Sequence, residues 1–161
     1  MYRAVGLLGT EYDTLDRTGQ PTETVDISHI TTAKLQEALA GLRGSIMQRP
    51  PAFSAIRKGG KRLYELARKG EMVEAEPRPV QIDRLELLPE DEYSLPSFGL
   101  EIECGGGTYV RSLISDIARS LDGRAHMTEL VRTKQGPFLL KDCLAVEQWK
   151  DPLAILQHLH Q

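Results

Sequence analysis

The sequence predicts an α+β domain, a mixed and largely antiparallel sheet flanked by helices. Two patterns predict it. Phe98, Leu100, Ile102 and Cys104 alternate strictly with Gly99, Glu101 and Glu103, the period of a half-buried strand. Leu35, Ala38, Leu39 and Leu42, and again Val110, Leu113, Ile114 and Ile117, recur at helical spacing. Strands and helices do not follow the strict beat of a doubly wound parallel sheet. No linker divides the chain, so residues 1–161 are assigned to one domain.

In chain order, residues 2–9 are rich in Val, Leu and Tyr and read as a strand. Asp13 to Gly19 is turn chemistry, because Asp and Thr side chains bond to nearby backbone. Residues 24–27 are assigned a short strand. Thr31 or Thr32 caps the helix that carries Leu35 and Leu39, and Gly41 and Gly44 mark its end. Pro50-Pro51 forbids helix and forces extended backbone, so 45–55 reads as an ordered loop or edge segment.

Lys61 to Lys69 is assigned a short helix with Leu63, Leu66 and Ala67 on one side. Residues 78–88 form a strand, and 89–97, with Pro89 and Pro96, the hairpin loop leading to the strand of 98–104. Gly105-Gly106-Gly107 ends that strand. Thr108 is assigned the cap of a helix from Tyr109 to Leu121. Residues 126–133 read as a strand broken at Gly136-Pro137-Phe138. Glu147 to His160 is a terminal helix with Trp149, Leu153, Leu156 and Leu159.

Hydrophobic residues make up 40% and charged residues 27%, an ordinary globular balance. No apolar run approaches the ~18 residues a membrane span needs, and the N-terminus lacks a secretion signal. The chain is therefore read as intracellular, with nucleus, cytoplasm and mitochondrion left open. Cys104 and Cys143 belong to no CxxC pair, which argues against zinc. They read as reduced, partly buried thiols packed in the core. Net charge is −3, but the charges are segregated. Arg57, Lys58, Lys61, Arg62, Arg68 and Lys69 stand against Glu65 alone, while acids gather at 71–76 and 86–92. One basic face suffices for RNA. The plain alternative is a solvated helix face.

Two segments carry chemistry. In Cys104-Gly105-Gly106-Gly107-Thr108-Tyr109-Val110-Arg111-Ser112, a glycine turn between strand and helix allows close approach of a backbone or phosphate. Arg111 offers a planar guanidinium fork and Tyr109 a flat face for a base. The segment lacks the Gly-Lys-Ser/Thr of a P-loop and the GxGxxG of a dinucleotide site. The plain alternative is a tight turn with Tyr109 in the core and Arg111 in solvent. Gln48 to Gly70 joins a stiff Pro-Pro segment, aromatics and cations, which suits looped RNA. Its alternative puts at least one of Phe53 and Tyr64 in the core. Tyr2, taken alone, is a half-buried strand tyrosine.

Read together, these segments resemble the TruB family of tRNA pseudouridine synthases. Gly6-Leu7-Leu8-Gly9 through Asp13-Thr14-Leu15-Asp16-Arg17-Thr18-Gly19 is similar to that family's strand and "T-D-T-x-D-x-x-G" turn. Gln48 to Gly70 resembles its "Q-x-P-P-x-[YF]-S-A" block with the basic stretch that follows. Gly105 to Leu113 resembles its "G-T-Y-[IV]-R-S-L" block. Ala125-His126 through Arg132-Thr133 and Gly136-Pro137-Phe138 resembles "A-H-x-x-x-L-x-R-T-x-x-G-x-F". The likeness spans residues 2–149, and its wording sits nearer the eukaryotic branch.

The resemblance implies the pseudouridine synthase catalytic-domain fold, present in part. It implies isomerisation of a T-loop uridine in tRNA, and in the eukaryotic branch of uridines in mRNA hairpins of similar shape. No cofactor and no metal is implied, and no obligate protein partner. The family extrudes the base from its loop. Tyr2 matches the base-stacking tyrosine, Arg111 the arginine that pairs with the catalytic carboxylate, and Tyr109 the tyrosine beside it. Leu130 matches a leucine lining the uracil pocket. Phe53, Ser54, Lys58, Lys61 and Arg62 lie in the segment that contacts the RNA loop.

The family's catalytic aspartate lies in a "G-x-L-D-P-x-A-T-G" motif ahead of the first strand. These 161 residues hold no such motif, and no C-terminal PUA domain follows Trp149. The expectations are a chain inactive by itself, an Arg111 lacking its carboxylate, and an exposed apolar edge on the first strand. The rival functions are an RNA-binding module without catalysis and a plain interaction domain.

Overall fold

The computed structural model describes residues 1–71 and 73–159, and their side chains except at Lys58, Ala154 and 157–159. The chain forms β1 (Tyr2–Leu8), β2 (Thr10–Tyr12), β3 (Pro21–Thr24), α1 (Thr32–Gly41), β4 (Gly44–Gln48), β5 (Arg57–Lys58), β6 (Lys61–Arg62) and α2 (Leu63–Ala67). It continues with β7 (Arg78–Leu87), β8 (Ser97–Cys104), α3 (Val110–Arg119), β9 (Ala125–Arg132), β10 (Lys134–Gln135), β11 (Phe138–Leu139) and α4 (Pro152–Leu159).

The main sheet has the order β4-β7-β8-β1-β9. Every pairing within it is antiparallel, so the mixed character expected from sequence reduces to one isolated parallel bridge, Asp16 with Met127. The register β1–β8 sets Tyr2 opposite Ile102, Ala4 opposite Leu100 and Gly6 opposite Phe98. Opposite residues share a face. A Cβ on Gly6 would stand 2.5 Å from the Phe98 ring and 3.0 Å from Ile114 of α3, so this is the helix-covered face. Leu100, Ile102, Leu113, Ile114 and Ile117 are fully buried there, joined by Leu35 and Leu39 of α1. Each such side chain contributes ~1.5–3 kcal/mol by leaving water.

β1 is a central strand, paired on both sides by β8 and β9. The exposed edge expected for β1 is therefore absent; β9 and β4 are the outer strands, and Leu130 and Val131 of β9 are exposed instead. The reason is long-range pairing, which no local pattern reports.

Several local expectations shift. Thr31 does cap α1, accepting from the Lys34 N–H. The short strand after the turn lies at Pro21–Thr24, not 24–27, where it pairs with β2. The Lys61–Lys69 helix shortens to α2, because Arg57–Lys58 and Lys61–Arg62 pair as a small hairpin. Gly59 and Gly60 supply the positive φ that turn needs. Thr108 does not cap α3: Tyr109 is the N-cap, and the Thr108 hydroxyl donates to the Gly105 carbonyl. The terminal helix splits into a 3-10 turn at Val146–Lys150 and α4; its predicted end at His160 lies outside the described residues. Cys104 is half-buried against the core, but Cys143 is exposed, against the expectation of burial for both.

Candidate nucleic-acid interface

Arg111 sits in the first turn of α3, just past the glycine turn that follows β8. β8 ends at Cys104, beside the start of β1. The turn sends the chain back over the same face of the sheet. Arg111 thus follows the end of β8 that pairs with the start of β1.

Its guanidinium is held by three acceptors. Nη1 donates to the Thr14 carbonyl at 2.9 Å and to Asp16 Oδ2 at 3.0 Å, and Nη2 donates to the Phe53 carbonyl at 3.1 Å. Sequence reasoning left Arg111 without a carboxylate; the structure pairs it with Asp16 of the turn. Burial opposes ionisation of Asp16. Donors from the Thr18 hydroxyl and backbone and from Thr14, with the Arg111 charge, outweigh it and hold the carboxyl below the usual aspartate range. The site thus presents a fixed, partly buried ion pair, oriented from three segments far apart in sequence.

Tyr2 and Leu130 share the helix-covered face. Leu130 is opposite Ala4, and Arg132 opposite Tyr2. The Arg132 guanidinium lies 5.4 Å from the Tyr2 ring centre. Tyr2 packs partly against the core, and Leu130 is exposed. A phenol, a cation and an apolar side chain thereby stand together at this part of β1 and β9, groups that can pack against a flat ring.

Tyr109 stands apart from that set. It lines a separate cavity of about 150 Å³ with Gln48, Ile56, Arg78 and Gly106.

The second feature is the β5–β6 hairpin. Its register sets Arg57 opposite Arg62 and Lys58 opposite Lys61. Like charges directly opposite destabilise a strand pair. Arg57 and Arg62, opposite each other, concentrate positive charge on this hairpin. Arg57, Lys61 and Arg62 are exposed; the Lys58 side chain lies outside the described residues. The hairpin rides on its own small core of Leu63, Leu66 and Ala75. Tyr64 is half-buried, with the Arg68 guanidinium 5.3 Å and that of Arg62 5.9 Å from its ring centre. Phe53 is half-buried too, so neither aromatic belongs to the core. Ser54 is buried at 4% exposure, and its carbonyl accepts from the Tyr64 N–H. It supports the hairpin from beneath and does not share its surface.

On another face of α3, Ser112, Ser115, Asp116 and Arg119 line a cavity of about 450 Å³ with Glu11, Tyr12, Arg49 and Pro50. Glu11 accepts from Arg119 and from the Ser115 hydroxyl at 2.7 Å. Burial pushes the Asp116 carboxyl up to about 6. A raised acid opposes folding above its folded-state value, and the penalty vanishes below the ordinary 3.8. Asp116→Asn is therefore expected to stabilise the fold at pH 7 by about 1–2 kcal/mol, discounted for partial exposure. The gain should shrink to nothing by about pH 4. Urea melts across that range would show it; an equal gain at both ends would contradict the burial account.

Sequence reasoning passed over Asp16, Gln48 and Arg132. Along the sequence Asp16 reads as turn chemistry alone, and Gln48 and Arg132 stand only as parts of motifs. The available signal was a polar residue beside each named one: Gln48 at the foot of the Pro-Pro segment, and Arg132 two places after Leu130.

Among the described residues no cluster suits a metal ion, and no helix is long and apolar enough to cross a membrane.

Comparison with known proteins identifies the family. Residues 1–110 match the model of the TruB family pseudouridylate synthase N-terminal domain. The chain is 45% identical over 150 residues to pseudouridylate synthase TRUB1 of Homo sapiens, covering 92% of this chain and 42% of that protein. It is 45% identical to tRNA pseudouridine synthase B of Symbiobacterium thermophilum, covering 91% of this chain and 49% of that protein. Against the corresponding protein of Phocaeicola vulgatus it is 40% identical, covering 99% of this chain and 68% of the relative. The chain thus spans about half the length of several curated relatives it matches. A crystal structure of a Cbf5-Nop10-Gar1 complex holds a chain of the same fold, at TM-score 0.64 and 23% identity, covering 99% of this chain and 37% of that one. By the family model and by these identities, the chain belongs to the TruB family of pseudouridylate synthases.

Proposed function

We propose that this chain grips the T-arm of tRNA and forms one wall of the site at which a T-loop uridine is isomerised to pseudouridine. The reaction breaks the bond from the ribose to N1, turns the uracil, and joins C5 to the same ribose carbon. A proton leaves C5 and another is gained at N1. The observation that carries the reading is the Arg111–Asp16 pair, held at 3.0 Å in the first turn of α3, past the turn that follows the strand paired with Tyr2.

In this reading Tyr2 stacks on the extruded base and Leu130 covers its apolar edge. Arg111 presents fixed positive charge to the reacting nucleotide and to the carboxylate that the family uses for bond breaking. That carboxylate's motif does not occur in these 161 residues, and Asp16 is engaged by Thr14, Thr18 and Arg111. The chain by itself is proposed to bind RNA without turning it over. Tyr109 is assigned a supporting place beside Arg111 through its backbone. Phe53, Lys58, Lys61 and Arg62 flank the RNA loop, and Ser54 holds their segment down. No metal or cofactor enters. Because looped RNA is read by shape and stacking, mRNA hairpins that mimic a T-arm fall in the same substrate class.

Tritium release from C5-labelled uridine in a T-arm hairpin tests the chemistry. Release by this chain alone would overturn the proposal that it only binds. Filter binding against salt tests the grip. If three to five cations meet phosphates, log affinity should fall against log salt with a slope of about −2 to −4. Lys61→Ala should reduce the slope by about 1. A flat salt response would favour a plain interaction domain.

A further inference from the structure

Gln48 ends β4 and is one of the most buried side chains in the protein, at 1% exposure. Its Oε1 accepts from the Tyr109 N–H at 2.8 Å, and its Nε2 donates to the Tyr109 carbonyl at 3.1 Å. One amide side chain thus satisfies both backbone groups of a single residue, as a neighbouring strand would. Tyr109 is the N-cap of α3, in extended conformation and without a cap bond from its own side chain. Its carbonyl also receives the first helical bond, from Leu113. Gln48 therefore grips the place where α3 begins, two residues before Arg111.

A second tie runs between the same two segments. Arg111 Nη2 donates to the Phe53 carbonyl. Between Gln48 and Phe53 lie Pro50 and Pro51, whose rings fix φ. The segment 48–53 is therefore a stiff strut pinned at both ends to the first turn of α3. The next residue, Ser54, accepts from the Tyr64 N–H at 3.1 Å and so ties the strut to α2 behind the basic hairpin.

We propose that Gln48 is a positioning residue for Arg111: its amide clamp sets the start of α3 and, through the Pro-Pro strut, couples the place of the basic hairpin to that of the guanidinium. The inference rests on the reading of Arg111 as part of a uridine site and adds a mechanical link between the RNA grip and that site. RNA that shifts the hairpin then shifts the strut, and the strut moves Arg111 against Asp16.

Two variants of the 161-residue chain test it. Gln48→Met keeps the length and removes both bonds. Gln48→Asn keeps the amide and draws it back by one methylene, so that it cannot reach both Tyr109 groups. Amide exchange at Tyr109 and the Arg111 Nε–Hε signal are read by nitrogen-15 NMR. In Gln48→Met, exchange at Tyr109 should rise by about 10- to 100-fold, as for loss of one buried hydrogen bond. The Arg111 signal should move or broaden with it. Gln48→Asn should fall between Met and wild type on both readouts, and it carries the test if Gln48→Met does not fold. A deprotected Tyr109 with an unchanged Arg111 signal, in either variant, would overturn the positioning role. Unchanged Tyr109 exchange would overturn the clamp itself. Failure of the wild-type chain to bind a T-arm hairpin would refute the functional reading and leave the clamp result standing, so the two failures are distinguishable.

Discussion

Arg111→Ala is expected to lower turnover by about 10³-fold or more, in any form of the protein that releases tritium from a T-arm uridine. The loss should fall on the chemical step, with T-arm affinity reduced less than about 10-fold, because the phosphate contacts are proposed for the basic hairpin. The physical reason is the position of the guanidinium. Three acceptors aim it, so its charge is preorganised where the reacting nucleotide is proposed to sit. Lysine should not rescue, since one ammonium cannot span Thr14, Asp16 and Phe53 in a plane. Single-turnover kinetics beside equilibrium binding would separate the two effects. Survival of turnover would remove Arg111 from the site.

The same substitution carries a pH signature. The native carboxyl of Asp16 is held below 3.8, so its stabilisation is complete above that value and is lost as pH falls through the lower folded value. Without Arg111 one of the groups that favour ionisation is gone, and the difference in stability between the two proteins should narrow in acid.

Leu113→Ala is expected to give the largest loss of stability, about 2–5 kcal/mol. Leu113 is at 0% exposure and lies two residues after Arg111 on the face of α3 that meets the sheet. Removing its side chain leaves a cavity in the packing that seats α3. For a chain of this size the melting temperature should fall by roughly 5–15 °C. Thermal and urea melts followed by circular dichroism would measure it. A loss below ~1 kcal/mol would mean that α1, α3 and the sheet close around the gap and that the seat of Arg111 is softer than the buried core implies.

Most of the framework was legible along the chain. The alternation of Phe98, Leu100, Ile102 and Cys104 located β8, and the spacing of Val110, Leu113, Ile114 and Ile117 located the buried face of α3. These patterns are local, set by periods of two and 3.6 residues. Motif wording placed Tyr2, Arg111 and Leu130 in one candidate site; the register β1–β9 puts Tyr2 and Leu130 on one face, and Arg111 lies in the first turn of α3.

What the order of residues determined by itself was the set of strands and helices, the segregation of cations at 57–69 and the family. The tertiary structure alone decided that β1 is central, that Lys61 and Arg62 belong to a hairpin, that Asp16 is the partner of Arg111, and that Gln48 holds Tyr109. Asp16 and Arg111 are 95 residues apart, and Gln48 and Tyr109 are 61 apart. Such partners meet only after the chain has closed its sheet. Hydrogen bonds between distant residues have no period along the chain, so nothing in local spacing announces them.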